Sequence, residues 1–196
     1  MTPRTATIRR KTRETDITLE LNLDGRGVST ISTGLGFLDH MLTALATHAR
    51  IDLTLTCKGD LDVDDHHTVE DCALALGRAI DEALADRKGI TRFASAYAPL
   101  DESLARVVID LSGRPHATVN LDLKRDMIGR VACENIAHFF GSLAVASRTT
   151  LHADVLRGEN DHHKAEAAFK ALALALRQAV AIDPRIDDVP STKGTL

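Results

Sequence analysis

The stretch Asp65–Glu70 reads DHHTVE, and nearly the same six residues return at Asp161–Glu166 as DHHKAE. In a helix, the first His and the Glu of each copy lie four residues apart on one face, whereas the second His points about 100° away. One copy therefore presents its imidazoles in two directions, unlike the H-E-x-x-H motif, whose two His converge on one ion. The arrangement predicts a second metal ion or a partnership between two copies of the motif.

The repeat extends well beyond these two His-His doublets. A further His precedes each doublet on a predicted helix, with His40 26 residues before the first doublet and His138 24 residues before the second. Upstream, Leu23–Gly27 (LDGRG) is matched by Leu111–Pro115 (LSGRP). A two-copy repeat favours a pseudo-twofold fold, because a solenoid needs about three units or more.

Periodicity gives both halves the same order of elements. Alternating apolar residues at Asp16–Leu23 predict a half-buried strand that ends in the turn at Asp24-Gly25. The predicted strands are Asp16–Leu23, Val28–Thr33, Ile51–Cys57, Ala105–Leu111, Ala117–Leu123 and Leu151–Leu156, and the predicted helices are Phe37–Leu45, Asp65–Ala85, Glu134–Ser147 and Asp161–Val180.

These elements predict an α+β fold with internally duplicated β-β-α-β-α halves in one domain, 1–196, because each half alone is too small to bury its apolar helix faces. The halves cover about 1–90 and 91–183 and join near 86–98. A C-terminal tail, 184–196, has no periodicity and is expected to become ordered on a ligand or a neighbour.

Composition excludes several classes of function. The formal net charge is −4 and aromatic residues are only 3% of the chain, which argues against a nucleic-acid partner. The basic cluster at Arg4–Arg13 is interpreted as a solvated strand edge or a subunit contact. Three cysteines without a CxxC pair indicate free thiols in a reducing compartment. No apolar run approaches the roughly 18 residues of a membrane span, so we expect a soluble, cytoplasmic protein without a membrane partner.

The repeated polar residues form two symmetric sets of four candidate metal ligands. They are His40, His66, His67, Glu70, His138, His162, His163 and Glu166. An ion such as Mn²⁺ prefers six positions and accepts imidazole and carboxylate together, so four protein ligands would leave two positions open for water or substrate. Zinc in a closed tetrahedral site would leave none.

Residues beside the ligands have simpler explanations. Asp65 and Asp161 could orient the imidazoles, but capping of their helices is the more economical interpretation. His116 and His152 have no repeat partner and are interpreted as ordinary polar residues, whereas His48 could line the site.

Together these residues resemble the imidazoleglycerol-phosphate dehydratase family, and the resemblance covers practically the whole chain. It is carried by Arg13–Thr15, by 34–40 (GLGFLDH), 64–70 (DDHHTVE), 87–93 (RKGITRF), 111–115 (LSGRP), 138–142, 158–170 (GENDHHKAEAAFK) and 190–194 (PSTKG).

The resemblance implies a helical bundle between two four-stranded sheets and a 24-subunit assembly with two Mn²⁺ ions per active site, other divalent ions being possible. It assigns one metal to His40, His67, His162 and Glu166, and the other to His66, Glu70, His138 and His163. The ions would lie where subunits meet, and the sequence leaves open which subunit supplies each ligand.

The implied reaction is the dehydration of D-erythro-imidazole-glycerol phosphate to imidazole acetol phosphate in histidine biosynthesis. The substrate's imidazole is the available electron sink, and a metal-bound imidazolate would expel the neighbouring hydroxyl. By resemblance Glu14 contacts substrate and is the leading candidate for proton transfer, with a metal-bound water as the alternative. The substrate phosphate would be bound by Arg92, Arg114, Lys170, Ser191, Thr192 and Lys193.

Two other functions remain open from the residues. One is a dinuclear metal-dependent phosphohydrolase, which commonly uses a bridging carboxylate and a metal hydroxide aimed at phosphorus. The other is a non-enzymatic assembly in which the ions only join subunits.

Overall fold

A computed structural model describes residues 3–196 of the chain. The first half contains β1 (Thr5–Lys11), β2 (Thr15–Asn22), β3 (Ser29–Ser32), α1 (Gly36–Ala49), β4 (Asp52–Gly59) and α2 (His66–Leu84). The second half contains β5 (Phe93–Leu100), β6 (Ser103–Asp110), β7 (His116–Asn120), β8 (Met127–Ile128), β9 (Val131–Ala132), α3 (Cys133–Ala146), β10 (Thr150–Arg157) and α4 (Asp161–Ala179).

Each half builds one four-stranded sheet with the same topology. The strand orders are β1-β2-β4-β3 and β5-β6-β10-β7, and in each sheet only the last pair is parallel. In the register of the first sheet, Leu19 faces Leu55, and both side chains are fully buried. Because alternate residues of a strand point to opposite faces, one face of each sheet is apolar and must be covered.

The helices form the layer that covers both sheets. Helices α1 and α2 pack on the first sheet, α3 and α4 pack on the second, and the two pairs meet through α1 with α4 and α2 with α3. The crossing of α2 and α3 is close at Gly77, where a Cβ would lie 2.7 Å from the carbonyl oxygen of Leu143. A larger residue would push the two helices apart, together with the side chains at their ends.

The hydrophobic core is continuous between the halves and mostly aliphatic. Its largest buried side chains include Phe139, Phe140 and Phe169, whose rings lie 5.0 to 6.2 Å apart. The α+β class, the duplication and the helical bundle between two four-stranded sheets are therefore confirmed.

Each half has one leading strand more than the predicted β-β-α-β-α, and the second half also has the short hairpin β8-β9 before α3. Strand β1 was missed because Ile8 is its only fully buried residue, which leaves no alternating apolar pattern. Strand β5 was missed because its buried residues, Ala96 and Ala98, are small. It occupies 93–98 of the predicted join, so the connection between the halves shortens to 85–92.

Two further features of the described chain bear on the composition. None of its helices is long and apolar enough to cross a membrane. Cys57, Cys72 and Cys133 are free thiols, and all three are buried.

Candidate metal centre

The start of α2 meets the middle of α3 in the first of two ligand clusters, the α2–α3 cluster, which consists of His66, Glu70 and His138. Nε2 of His138 lies 3.0 Å from Oε1 of Glu70, and Nε2 of His66 lies 4.0 Å from Oε2 of the same carboxylate. The two imidazole rings are stacked with their centroids 5.0 Å apart. All three side chains are partly open to solvent, so the site is accessible to a cation.

The second group, the α1–α4 cluster, consists of His40, His162 and Glu166. Nε2 of His40 and Nε2 of His162 lie 3.1 and 3.2 Å from Oε2 of Glu166. The helical i and i+4 spacing of the repeat brings His162 and Glu166 onto one face, as it does in the other cluster. In each cluster the three ligand atoms lie within 4.8 Å of one another.

Each cluster combines ligands from both halves of the chain. The first His of the doublet and the Glu come from one half, and the single His comes from a helix of the other half. The clusters therefore depend on the packing of α1 with α4 and of α2 with α3 rather than on either half alone.

The second His of each doublet lies outside the cluster formed by the other three ligands that were predicted for the same metal. His67 belongs with His40, His162 and Glu166 in the predicted assignment, and His163 belongs with the α2–α3 cluster, but neither lies in that cluster within one chain. The structure thus brings together three of the four predicted ligands of each metal.

Carboxylates hold both of these outward-pointing imidazoles. Nδ1 of His67 lies 3.2 and 3.0 Å from the two carboxylate oxygens of Asp60. Nδ1 of His163 lies 2.7 Å from Oε2 of Glu102. A hydrogen bond at Nδ1 fixes the ring and its tautomer and leaves Nε2 available as a ligand.

Glu14 lies beside one of these imidazoles. Its Oε1 is 3.7 Å from Nε2 of His67, and its main-chain oxygen accepts a 3.0 Å hydrogen bond from the backbone N–H of Asp60. Glu14 directly precedes β2, as Glu102 directly precedes β6, so the two glutamates occupy corresponding places in the repeat.

Charge around the clusters shifts several pKa values. Burial raises the pKa of Glu166, but hydrogen bonds from Lys170 and His40 outweigh it and lower that pKa to about 2. Hydrogen bonds to Asp60 and to Glu102 raise the pKa of His67 and of His163. The pKa of Glu102 falls well below its usual range because it accepts hydrogen bonds from the backbone of Asn160, from His163 and from the backbone of Glu159.

Asp65 stands at the N-cap position of α2 and Asp161 is the first residue of α4, but neither side chain makes a capping hydrogen bond or touches an imidazole, so both interpretations of these side chains were wrong. Oδ2 of Asp65 accepts a 2.8 Å hydrogen bond from the backbone of Ala132. Oδ2 of Asp161 accepts hydrogen bonds from the backbone of Lys124 and Arg125, at 2.8 and 2.6 Å. The α4 cap is supplied by Asn160 and the corresponding contact at α2 by Asp64, each to a doublet backbone N–H.

The predicted phosphate-binding residues fall into two places. Arg92 binds Asp110 and donates a 2.7 Å hydrogen bond to the main-chain oxygen of Pro190, which docks the tail beside it. Arg114 reaches within 3.8 Å of the same Asp110. The predicted tail residues that follow Pro190 are Ser191, Thr192 and Lys193.

Lys170 lies apart from this arginine pair, with its Nζ 2.7 Å from Oε1 of Glu166. The backbone N–H of Arg92 donates to the oxygen of Ala179 at the end of α4. Glu166 to Ala179 spans 13 residues of α4. At 1.5 Å per residue, the backbone of Arg92 therefore lies about 20 Å from Glu166 along the helix axis. His48 is exposed on α1, two turns beyond His40.

The donor sets fit a hard or borderline divalent ion. Each cluster offers two imidazole nitrogens and one carboxylate, the ligand types that Mn²⁺ shares with other first-row ions. Three protein atoms per cluster leave positions for a fourth protein ligand and for substrate or water in a six-coordinate ion.

The sequence did not single out Asp60, Glu102 or Asn135 as parts of the site. Oδ1 of Asn135 accepts a hydrogen bond from Nδ1 of His66 at 2.8 Å. The correspondence of Glu102 with Glu14 was a usable signal, since each precedes the second strand of its half. Asp60 and Asn135 have no repeated counterpart of the same type, so no such pattern marked them.

Comparisons with known proteins agree on one family. The sequence profile of the imidazoleglycerol-phosphate dehydratase family matches residues 33–176. An imidazoleglycerol-phosphate dehydratase of Nitrobacter hamburgensis is 56% identical over 194 residues, which are 98% of this chain and 98% of the relative. One of Phytophthora nicotianae is 60% identical over 193 residues, 98% of this chain, but the match spans only 42% of that relative's length.

Solved structures give the same result. The crystal structure of the imidazoleglycerol-phosphate dehydratase of Staphylococcus aureus matches with a TM-score of 0.83 and 36% identity, and covers 91% of this chain and 99% of that one. The Pyrococcus furiosus enzyme, solved in complex with (S)-C348, matches with a TM-score of 0.83 and 40% identity, over 96% of this chain and 100% of the other.

Proposed function

The chain belongs to the imidazoleglycerol-phosphate dehydratase family and is therefore a hydro-lyase of histidine biosynthesis. We propose how its own residues perform the reaction. The substrate is D-erythro-imidazole-glycerol phosphate and the product is imidazole acetol phosphate. The family resemblance inferred from the motifs is thereby confirmed, while the roles of individual residues are our proposal.

The active site is assembled from more than one copy of the chain. The observation that carries this proposal is the position of His67 and His163, which are held by carboxylates outside the clusters of their own chain. We assign them as the fourth ligands of clusters in neighbouring copies, in the 24-subunit, cytoplasmic assembly that family resemblance implies.

The arginine pair supports the same arrangement. The backbone of Arg92 lies about 20 Å from Glu166 along α4, and its guanidinium binds Asp110, which Arg114 also approaches. A three-carbon chain that joins an imidazole to a phosphate cannot span that distance. The phosphate-binding residues of one chain therefore serve the metal clusters of another.

Two Mn²⁺ ions, or other divalent ions, would be held by the two clusters together with these fourth ligands. Bound there, the ions supply Lewis acidity that favours the imidazolate form of the substrate ring. The residues of the chain do the rest: they hold the substrate, exclude water and move the proton.

Glu14 is the proposed base for the carbon-bound proton. Its carboxylate faces Nε2 of His67 at 3.7 Å, so it lies next to a proposed ligand position without occupying it. Because Asp60 already binds Nδ1 of His67, Glu14 is not needed to orient the ring. Removal of the proton and departure of the adjacent hydroxyl as water leave an enol, which relaxes to the ketone product.

The substrate phosphate is bound by the arginine pair and the docked tail. Arginine can bind phosphate through two parallel hydrogen bonds, whereas lysine contributes a mobile point charge. Arg114 is largely exposed and available, while Arg92 holds the tail through Pro190. Ser191, Thr192 and Lys193 then close over the phosphate and keep water from the site.

A product assay separates this proposal from its alternatives. Mn²⁺-loaded protein is incubated with imidazole glycerol phosphate, and the acetol phosphate and inorganic phosphate are both quantified. Ketone without phosphate release supports the dehydratase. Phosphate release would favour a dinuclear phosphohydrolase, and an intact assembly without turnover would favour ions that only join subunits.

A further inference from the structure

We propose that the two metal clusters are inequivalent, and that the α2–α3 cluster binds its divalent ion more tightly and fills before the α1–α4 cluster. The inference rests on the proposed function, because it requires a divalent ion at both clusters. It assigns a positioning role to Asn135 in the α2–α3 cluster, and it attributes the weaker binding of the α1–α4 cluster to Phe37 at the corresponding place and to Lys170 beside Glu166.

Asn135 orients a ligand of the α2–α3 cluster. Its Oδ1 lies 2.8 Å from Nδ1 of His66, and the residue is 5% exposed, so packing holds the amide in place. A metal-bound His that donates its other N–H has a fixed tautomer and a more basic ligand nitrogen. Loss of such a partner typically lowers metal affinity by about 10- to 100-fold.

The corresponding place in the α1–α4 cluster is apolar. Asn135 stands three residues before His138, and Phe37 stands three residues before His40. Phe37 packs against the ring of His162 at 5.1 Å between centroids, in an edge-on arrangement. A phenyl ring offers no oxygen acceptor, and among residues 3–196 no side chain accepts a hydrogen bond from Nδ1 of His162.

A positive charge also competes with an ion in the α1–α4 cluster. Nζ of Lys170 lies 2.7 Å from Oε1 of Glu166 and neutralises the only carboxylate of that cluster. The corresponding residue in the other half, four positions after Glu70, is Leu74. The α2–α3 cluster therefore keeps the full charge of its carboxylate for the ion, since Coulomb attraction at this range is substantial near a protein surface.

The proposed fourth ligands do not offset this difference. His67 is held by Asp60 and His163 by Glu102, so each cluster would receive an oriented imidazole from a neighbour. The two clusters therefore differ in the residues that surround their three ligands from the same chain.

Partial loading of the wild-type assembly tests the order of filling. Full-length protein is stripped with a chelator, crystallised with one Mn²⁺ per chain, and the anomalous peak heights at the two clusters are compared. We expect at least about threefold higher occupancy at the α2–α3 cluster, which is the ratio that a 10-fold difference in affinity gives when one ion is shared between two sites. Equal peaks, or a higher peak at the α1–α4 cluster, would overturn the inference while the metal-dependent function stands. The absence of Mn²⁺ from both clusters at full loading would overturn the function as well.

Three variants trace the difference to its cause, with free Mn²⁺ measured by electron paramagnetic resonance during titration. Asn135→Leu should weaken the tighter class of site by about 10- to 100-fold, so that the two classes merge. Asn135→Asp keeps an acceptor and should keep two classes. Phe37→Leu is the control at the corresponding place and should leave the tighter class unchanged. Two unchanged classes in Asn135→Leu would remove Asn135 from this role, and the partial-loading experiment stands whether or not that variant folds.

Discussion

The two halves of the molecule hold the second His of their doublets in different ways. In the first half Asp60 binds Nδ1 of His67 and Glu14 faces Nε2 of the same ring, whereas in the second half Glu102 binds Nδ1 of His163. Glu14 and Glu102 occupy corresponding places before β2 and β6, yet only one of them is free of an orienting role. The repeat thus keeps identical His residues in different surroundings, and under the proposed function Glu102 positions a ligand whereas Glu14 moves a proton.

The largest effects are expected from replacing the proposed metal ligands that occur at corresponding places in both halves. His66→Ala and His162→Ala should each lower kcat/KM by at least about 1,000-fold, because each removes a ligand from one of two required clusters. Metal analysis should show about one ion fewer per chain in each variant. His116→Ala, at an exposed ring on β7, is the matched control and should keep both ions. Full occupancy and wild-type turnover in His66→Ala would contradict the ligand assignment.

Variants of Glu14 and Glu102 test whether the two halves have different roles. Glu14→Gln should lower kcat by about 100- to 10,000-fold with metal affinity unchanged, because it removes a proton acceptor. Glu102→Gln should instead weaken metal binding by about 10- to 100-fold, with kcat largely restored at saturating Mn²⁺. Steady-state kinetics over a range of Mn²⁺ concentrations measure both. The same behaviour in both variants would show that the halves do not divide these roles.

The two arginines of the repeat, Arg114 and Arg26, should differ in their contribution to binding of the substrate phosphate. Arg114→Ala should raise KM by about 30-fold, equivalent to about 2 kcal/mol, as expected for hydrogen bonds to a charged group. Arg26, its counterpart, is exposed and lies outside the arginine pair, so Arg26→Ala is the control and should leave KM unchanged. An equal rise in both variants would point to a general charge effect instead of a phosphate site.

Much of the fold could be predicted from the sequence because its signals are local. Alternation in β2 and helical spacing around His40 are properties of short windows, and the repeat supplied the second half. Strands β1 and β5 could not be found in this way, because a polar edge strand and an alanine-lined strand carry little periodic signal.

The residues of the two clusters could be predicted from the sequence, but the residues that hold them could be predicted less well. The two His-His doublets with their Glu supply six ligand candidates, and the further His before each doublet supplies the other two, His40 and His138. Asp60 and Asn135 act through contacts with residues 7 and 69 positions away in the chain. The Asn135 contact arises only when α2 and α3 pack, and the Asp60 contact depends on the path of the chain between β4 and α2. Asp65 was misinterpreted as a cap because its partner, Ala132, lies in the other half.

The smallest expected effect concerns the aspartates that tie each doublet helix to a loop. Asp161 accepts two backbone hydrogen bonds and Asp65 accepts one, so Asp161→Asn should cost about 1.5 kcal/mol of unfolding free energy and Asp65→Asn about 0.7. Burial raises the pKa of Asp161, but hydrogen bonds from the backbone of Arg125 and Lys124 and from Lys164 outweigh it and lower that pKa. A lowered pKa in the folded state means that the contribution is complete above the unfolded value of about 3.9 and is lost as pH falls through the folded value. Urea unfolding of metal-free protein should therefore show the full difference in unfolding free energy between wild type and Asp161→Asn at pH 7, and a smaller difference at pH 3. A difference that does not depend on pH would show that the carboxylate charge does not hold the loop.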